Sequence, residues 1–291
     1  MKTSKDGGYP ETRSEETING NLGGITMNMK KWILAATIMT MTAMLATGCG
    51  SDSAKSEQKL PDKVIIGLDD NFPPMGFRDE SGNLVGSDID LAKEAAKRLG
   101  IEVEFKPIDW DSKEAALKSK QVDMLWNGLS ITEDRKKEIA FSDAYMKNGQ
   151  IIVVRSDSPV TDRAGLAGKT LATQDGSSSI DCLNKAADFK ASLGNVKLYG
   201  DNVAALMDLE LGRVDAVLVD SSVGRYYMQK KQGVFKVIDK NMGEEEFGVG
   251  MRQEDTLLRD KLNSVLKQMS EDGTTAKISQ KWFGEDISMK L

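Results

Sequence analysis

Between residues 64 and 283 the chain alternates short apolar runs with amphipathic stretches, and this alternation restricts its fold more than any other feature. Strands are expected at 64–68, 101–105, 122–126, 150–155, 171–173, 196–199, 216–219 and 235–238. Helices are expected at 87–99, 112–118, from about 132, then at 178–193, 203–211, 221–230, 256–270 and 274–283. In 87–99, Ile89, Ala92, Ala96 and Leu99 recur at helical spacing, Ser87 and Asp90 offer a cap, and Gly100 offers a left-handed stop. In 101–105, Ile101, Val103 and Phe105 alternate with acidic residues, the period of a half-buried strand. Strands regularly separated by helices predict an α/β protein with mostly parallel sheets. Ligands of such sheets sit beyond the carboxyl ends of strands, so the residues that follow each strand form the candidate site.

Composition removes several alternatives. The 291 residues include no histidine, which excludes Ser-His-Asp and Cys-His nucleophilic catalysis and His-ligated zinc. Lys and Arg number 39 against 45 Asp and Glu, a net charge of −6. No basic tract breaks this balance, so nucleic acid is not an expected partner. No metal and no cofactor are expected either.

Residues 27–48 have the layout of a secretory signal: Lys30 and Lys31, an apolar run over 33–46, then small residues. The run is short for a membrane span. Leu45-Ala46-Thr47-Gly48-Cys49 resembles a bacterial lipobox, so Cys49 is expected to be lipidated and to hold the chain to a bilayer from outside the cytoplasm. Residues 1–26 are polar and precede this signal, and they are expected to be an upstream extension, with translation starting at Met27 or Met29. Residues 49–60 are expected to be a flexible tether. The other thiol, Cys182, falls in an expected helix as a small core residue, which leaves no intrachain disulfide once Cys49 is acylated.

Four strand ends carry chemistry. Asp69, Asp70, Asn71 and Phe72 follow the first strand, and Asn127, Gly128 and Ser130 follow the one ending at Trp126. Gln174, Asp175, Gly176, Ser177, Ser178 and Ser179 follow 171–173 and open a helix, and Asp220 follows 216–219. Thr132 suits a helix N-cap with Glu133 and Asp134 in the first turn, where Arg135 opposes the helix dipole. Arg135 alone reads as a solvated charge beside Lys136 and Lys137. With Gly128 allowing close backbone approach and Ser130 offering a hydroxyl, its two-pronged donor matches a carboxylate. The 175–179 loop either caps its helix or adds N–H donors for an anion. Asp220 either caps the next helix or accepts a ligand ammonium. Carboxylate clamp plus ammonium acceptor describe an α-amino acid.

Gly86-Ser87-Asp88-Ile89-Asp90-Leu91, Ser130-Ile131-Thr132-Glu133-Asp134-Arg135, Ala140-Phe141-Ser142-Asp143-Ala144-Tyr145 and Lys281-Trp282-Phe283-Gly284 carry a resemblance to the polar amino-acid-binding proteins of ABC importers, from about residue 63 to 286. The resemblance implies a two-lobed periplasmic-binding-protein-like fold of type II, with two mostly parallel sheets joined by a two-strand hinge. It places hinges near 145–150 and 244–247, lobe 1 at 61–147 with 246–291, and lobe 2 at 148–245. It implies that Arg135 and Ser130, with backbone at Ser177 and Ser178, hold a carboxylate. Asp220 and the Gly128 carbonyl would take the ammonium. Phe72, Trp110 and Asn127 would line the side-chain pocket, with Asp69 and Gln174 at its polar end. Trp126-Asn127-Gly128 is similar to cystine-binding members, so cystine or cysteine is expected, with glutamine or a basic amino acid as alternatives. Partners would be a permease and an ATPase, since nothing here resembles a Walker motif; a monomer is expected. A dehydratase-like enzyme would need a poised acid or base such as Asp69 or Asp70, and a sensor domain would need a downstream effector segment.

Overall fold

The computed structural model describes residues 59–291. The expected extension at 1–26, the signal at 27–48, Cys49 and most of the tether lie outside the described residues. The first part of the chain runs β1 (Lys63–Leu68), β2 (Asn71–Phe72), β3 (Gly76–Arg78), β4 (Leu84–Val85), α1 (Ser87–Leu99), β5 (Glu102–Pro107), α2 (Lys113–Lys118), β6 (Met124–Leu125), α3 (Glu133–Glu138) and β7 (Ala140–Phe141). It continues through β8 (Met146–Arg155), β9 (Thr170–Gln174), α4 (Ser178–Lys185), α5 (Ala187–Ser192), β10 (Asn195–Tyr199), α6 (Asn202–Glu210), β11 (Ala216–Asp220) and α7 (Ser221–Lys230). The long β12 (Phe235–Phe247), β13 (Gly250–Met251), α8 (Thr256–Glu271) and α9 (Thr274–Phe283) complete it.

The elements form two five-stranded sheets, one per lobe. The first has the order β5-β1-β6-β13-β7 and the second β10-β9-β11-β8-β12, while β2, β3 and β4 form a small separate sheet. In the first, β1 pairs in parallel with β5 and β6, and β13 pairs antiparallel with β6 and β7. In the second, β9 pairs in parallel with β10 and β11, and β8 pairs antiparallel with β11 and β12. The sheets are therefore mixed, against the expectation of mostly parallel ones. In the second sheet the antiparallel pairs are those of β8, which enters it from the first part of the chain, with β11 and with the returning β12; in the first sheet they are those of β13, which follows that return.

This crossing is a ribbon. Its strands pair from Phe235 with Arg155 to Phe247 with Met146, and the register shifts between Val237 and Asp239 and again between Asp239 and Gly243. At its near end it is tied to the first sheet, where Tyr145 N donates to Phe247 O at 2.9 Å and Ile131 N to Glu246 O at 2.9 Å. The pattern at 235–238 marked only its start, because the acidic run after Met242 lacks the alternation that betrays a half-buried strand.

The cores follow the apolar pattern. All five residues of β11 are buried, and its apolar residues pack between flanking helices. Each large apolar side chain buried in this way contributes about 1.5–3 kcal/mol, enough to carry Asp220 into the interior at the strand's end. Val64, Ile66 and Leu68 of β1 are buried likewise, with Asp69 at that end. Cys182 is buried on α4, as expected.

Three local expectations change. The expected 178–193 helix breaks at Ala186, whose ψ of 54° is not helical, and no Gly or Pro at the break announces it. The expected 122–126 strand pairs only at Met124 and Leu125, because Trp126 already turns toward the loop that follows. Ser87 is the first helical residue of α1, not its cap; the cap position is Gly86, with a φ of 142°. The C-terminal stop at Gly100 is left-handed, as expected.

Candidate functional site

The strand ends of the two sheets meet. From the first sheet come Asp69 after β1 and Asn127, Gly128 and Ser130 after β6; from the second come Gln174 ending β9 and Asp220 ending β11. Gln174 Nε2 donates to Asp69 Oδ2 at 2.7 Å, and the Ser130 and Ser178 hydroxyls are 3.0 Å apart, so side chains bridge the gap.

Arg135 owes its position to α3. The Thr132 side chain caps that helix by accepting from Arg135 N at 3.2 Å, which turns the Arg135 side chain away from Lys136 and Lys137 and into the cleft. There it is 9% exposed, donating from Nη1 to Ser130 O at 2.9 Å and from Nη2 to Gly176 O at 3.0 Å, with Glu114 at 3.6 Å. Its two hydrogen bonds go to neutral carbonyls, so only the longer Glu114 contact offsets its charge toward an anion. Lys113 also donates to Gly176 O, at 2.8 Å, and to Trp110 O, at 3.1 Å. Burial and the neighbouring Arg135 push the Lys113 amine down to about 8. Gly176 has a φ of +66°, and a Cβ there would lie 2.5 Å from Asp111 Cα, so only glycine lets the second-sheet loop come this close to the first.

Gly128 has a φ of +60°, and a Cβ on it would meet Phe72 Cε1 at 2.7 Å. Its N–H donates to Asp88 Oδ2 at 2.7 Å, and the Tyr145 hydroxyl donates to the same oxygen at 2.8 Å. Burial pushes the Asp88 carboxyl up to about 7. Asp88 thus ties the loop after β6 to α1 and to the entrance of β8.

At one end of the cleft Asp69 accepts from Asn71 N at 2.9 Å and from Gln174, and burial pushes its carboxyl up to about 6. Gln174 is fixed in turn by Gly200 O at 3.0 Å and by Asn202 Nδ2 at 2.8 Å, and Asn127 Nδ2 donates to Asp69 O at 2.7 Å. At the other end Asp220, 4% exposed, accepts from Asn148 Nδ2 at 2.6 Å and Gln150 Nε2 at 3.0 Å. It occupies the N-cap position of α7 but makes no side-chain cap bond, so its carboxylate serves the cleft. Burial and the Glu245 carboxylate push Asp220 up to about 8.

The structure thus gathers Ser130, Arg135, Ser178 and Asp220 at one end and Asp69, Asn127 and Gln174 at the other, with Phe72 against Gly128 between them. Ser177 is buried beside them, but its hydroxyl is spent on Gln174 O at 2.7 Å. Trp110 contributes its carbonyl to Lys113 and otherwise packs with Leu117 and Val122, and Trp126 is a core residue stacked near Tyr145. Sequence reasoning missed Lys113, Asn148, Gln150, Asn202 and Glu245. Asn148 and Gln150 were detectable as polar residues two apart at the start of a strand, whereas Glu245 sits in an acidic run that reads as solvated surface. Among the described residues no group of His, Cys, Asp and Glu could hold a metal ion, and no helix is long and apolar enough to cross a membrane.

Residues 64–285 match the profile of the bacterial extracellular solute-binding proteins, family 3. The arginine-binding extracellular protein ArtP of Bacillus subtilis is 33% identical over 257 residues, covering 88% of this chain and 98% of its own. The L-cystine-binding protein TcyJ of Escherichia coli is 30% identical over 227 residues, covering 77% and 84%. A solved ABC uptake transporter substrate-binding protein from Streptococcus pneumoniae with bound histidine is 38% identical, with a TM-score of 0.76 over 79% of this chain and 95% of that one. With the two-sheet architecture and the crossing ribbon, these likenesses place the chain among the family 3 bacterial extracellular solute-binding proteins.

Proposed function

We propose that the protein captures an α-amino acid between its lobes and delivers it to the permease and ATPase of an ABC importer, without chemistry on the ligand. One observation carries this reading: a buried cation, Arg135, and a buried acid, Asp220, lie in one cleft with separate partners and no ion pair between them. Arg135, Ser130 and the N–H groups at the start of α4 receive the carboxylate, and Asp220 with the Gly128 carbonyl receives the ammonium. Lobe 1 is 61–147 with 246–291 and lobe 2 is 148–245, hinged at 145–150 and 244–247. Closure removes water from the paired charges and strengthens them. Cys49 is the proposed lipid anchor outside the cytoplasm.

For the side chain, the reading that fits Asp69 is a cation. This carboxylate is buried, yet its hydrogen bonds come from neutral donors, Asn71 N and Gln174. Cystine offers Asp69 a second ammonium, but it also brings a second carboxylate to an end furnished with the Gln174 and Asn202 amides. Arginine or lysine supplies the positive charge alone, so we favour a basic amino acid and keep cystine as the second reading. The relatives named for arginine and for cystine support both.

A thermal-shift panel of the amino acids tests this. A ligand at 100 times its Kd adds about 2.7 kcal/mol, which raises Tm by roughly 5–10 °C for a protein of this size. Arginine or lysine should give the largest shift, and Asp69→Asn should reduce that shift more than the shift from glutamine. If no amino acid raises Tm and none co-purifies, the reading fails. If Asp69→Asn leaves the order of preference unchanged, the cationic assignment fails.

A further inference from the structure

Glu245 lies at the floor of the cleft, where β12 crosses between lobes. Its Oε2 accepts from Ser130 Oγ at 2.8 Å, Gln150 Nε2 at 3.1 Å and Asn148 Nδ2 at 3.3 Å. The same two amide groups donate to Asp220 Oδ1. Two carboxylates therefore share two amide donors. The sheet register explains this: Asp220 pairs with Gln150 on one side of β8, and Glu245 pairs with Asn148 on the other. Asn148 and Gln150, two apart on β8, project from the same face between them. Because β11, β8 and β12 are adjacent in one sheet, the arrangement does not depend on the first lobe.

We propose that Asp220 and Glu245 together form the ammonium receptor of the cleft, and that seating a cation there expels a proton from the pair. This rests on the amino-acid reading above and gives it a second acid and a pH dependence. Glu245 shares its donors with the buried Asp220 and repels its charge, and the amides neutralise neither, so Asp220 retains a proton in the ligand-free cleft. The groups facing the pair are Asn148 and Gln150 from β8, Ser130 from the loop after β6, and Ser178 and Cys182 from α4, with Arg135 acting from α3. The Cys182 thiol, 3.7 Å from Glu245 Oε1, is pushed up to about 12 by burial and by Glu245, so it stays neutral and compensates no charge. The Asn148 hydrogen bond and, less strongly, Arg135 favour ionisation of Asp220, but burial and Glu245 outweigh them, leaving the Asp220 carboxyl raised to about 8. An arriving ammonium keeps its own protons and supplies the missing positive charge, and the carboxyl proton leaves to solvent. Affinity therefore rises as pH increases toward 8, and falls again once the ligand ammonium itself loses its proton.

Calorimetric titration of the whole protein in two buffers of different ionisation enthalpy counts the protons. The probes are L-arginine, L-lysine, L-histidine, L-cystine and L-glutamine. Whichever binds should release about one proton at pH 6.5 and clearly less at pH 8, where Asp220 is partly ionised and the ligand ammonium is still largely protonated. Asp69, raised only to about 6, contributes little above pH 7. Glu245→Gln should bind at least about tenfold more weakly, because a charge-assisted partner is lost, and should release fewer protons at pH 7 because Asp220 loses its charged neighbour while staying buried. Binding without proton release at pH 6.5, or Glu245→Gln binding within about twofold of wild type, would overturn the inference and leave amino-acid capture intact. The proton count on wild-type protein stands even if the variant folds poorly. If none of the probes binds, the amino-acid reading falls first and the inference with it.

Discussion

The guanidinium of Arg135 takes one carbonyl from each side of the cleft, Ser130 O on its own side and Gly176 O across it. The acid pair at Asp220 and Glu245 draws Asn148 and Gln150 from three adjacent strands of one sheet, and only Ser130 Oγ reaches it from the first. At the same end of the cleft, the arginine side is thus completed by closure, while the acid side is complete before it. The contrast separates two properties of a binding site that a contact list would merge. The arginine side registers whether the lobes are together, and the acid side registers the charge of what lies between them.

Removing the charge on the closure-dependent side should have the largest effect. Arg135→Ala should cost about 2–5 kcal/mol of ligand affinity, the range for truncating one partner of a buried charged contact. Binding calorimetry should find it weakened beyond about thirtyfold with circular dichroism unchanged; a loss under threefold would remove Arg135 from the clamp.

The buried acids, Asp220 most raised among them, should govern how ligand-free stability varies with pH. Asp69, Asp88 and Asp220 are all raised by burial, to about 6, 7 and 8. Their folded forms hold protons that the unfolded chain gives up near pH 4, so stability falls as pH rises from about 4 through 8. Each kcal/mol lost lowers Tm by roughly 2–4 °C, so a drop of several degrees between pH 5 and 8 is expected in a thermal scan. A saturating cationic amino acid should flatten it; a Tm that climbs over this range without ligand would contradict the burial assigned to these groups.

The smallest effect probes closure without touching the ligand. Tyr226 on α7 meets Phe77 on β3 with ring centroids 5.9 Å apart, and Phe77 meets Trp282 on α9 edge-on at 5.9 Å. An aromatic pair of this kind contributes about 0.5–1.5 kcal/mol. Tyr226→Ala should therefore speed ligand dissociation by about two- to tenfold in stopped flow, with association little changed. An unaltered dissociation rate would show that this contact does not hold the lobes together.

Arg135 and Asp220 were legible because each stands where strand–helix grammar makes it conspicuous: a cation in the wrong turn of a helix, and an acid ending an apolar strand. Asp69 and Gln174 were legible for the same reason. Glu245 was not, because its neighbours Glu244 and Glu246 are exposed and the run carries no periodicity. Lys113 was hidden for a related reason, since a lysine opening a short helix normally reaches solvent, and only the approach of the Gly176 loop buries it. The mixed character of the sheets was invisible because strand direction depends on partners far along the chain.

The crossing ribbon also dictates an order of assembly. All strands of the second sheet lie within residues 146–247, whereas the first pairs residues 140–141 with 250–251 across that whole interval. As the chain is synthesised, the second sheet can therefore collect its five strands while the first still lacks β13. Until β13 emerges, β6 and β7 present unpaired edges, the kind of surface on which partly made chains stick to one another. The segment most exposed to misassembly in the nascent protein is thus the one made early and finished late.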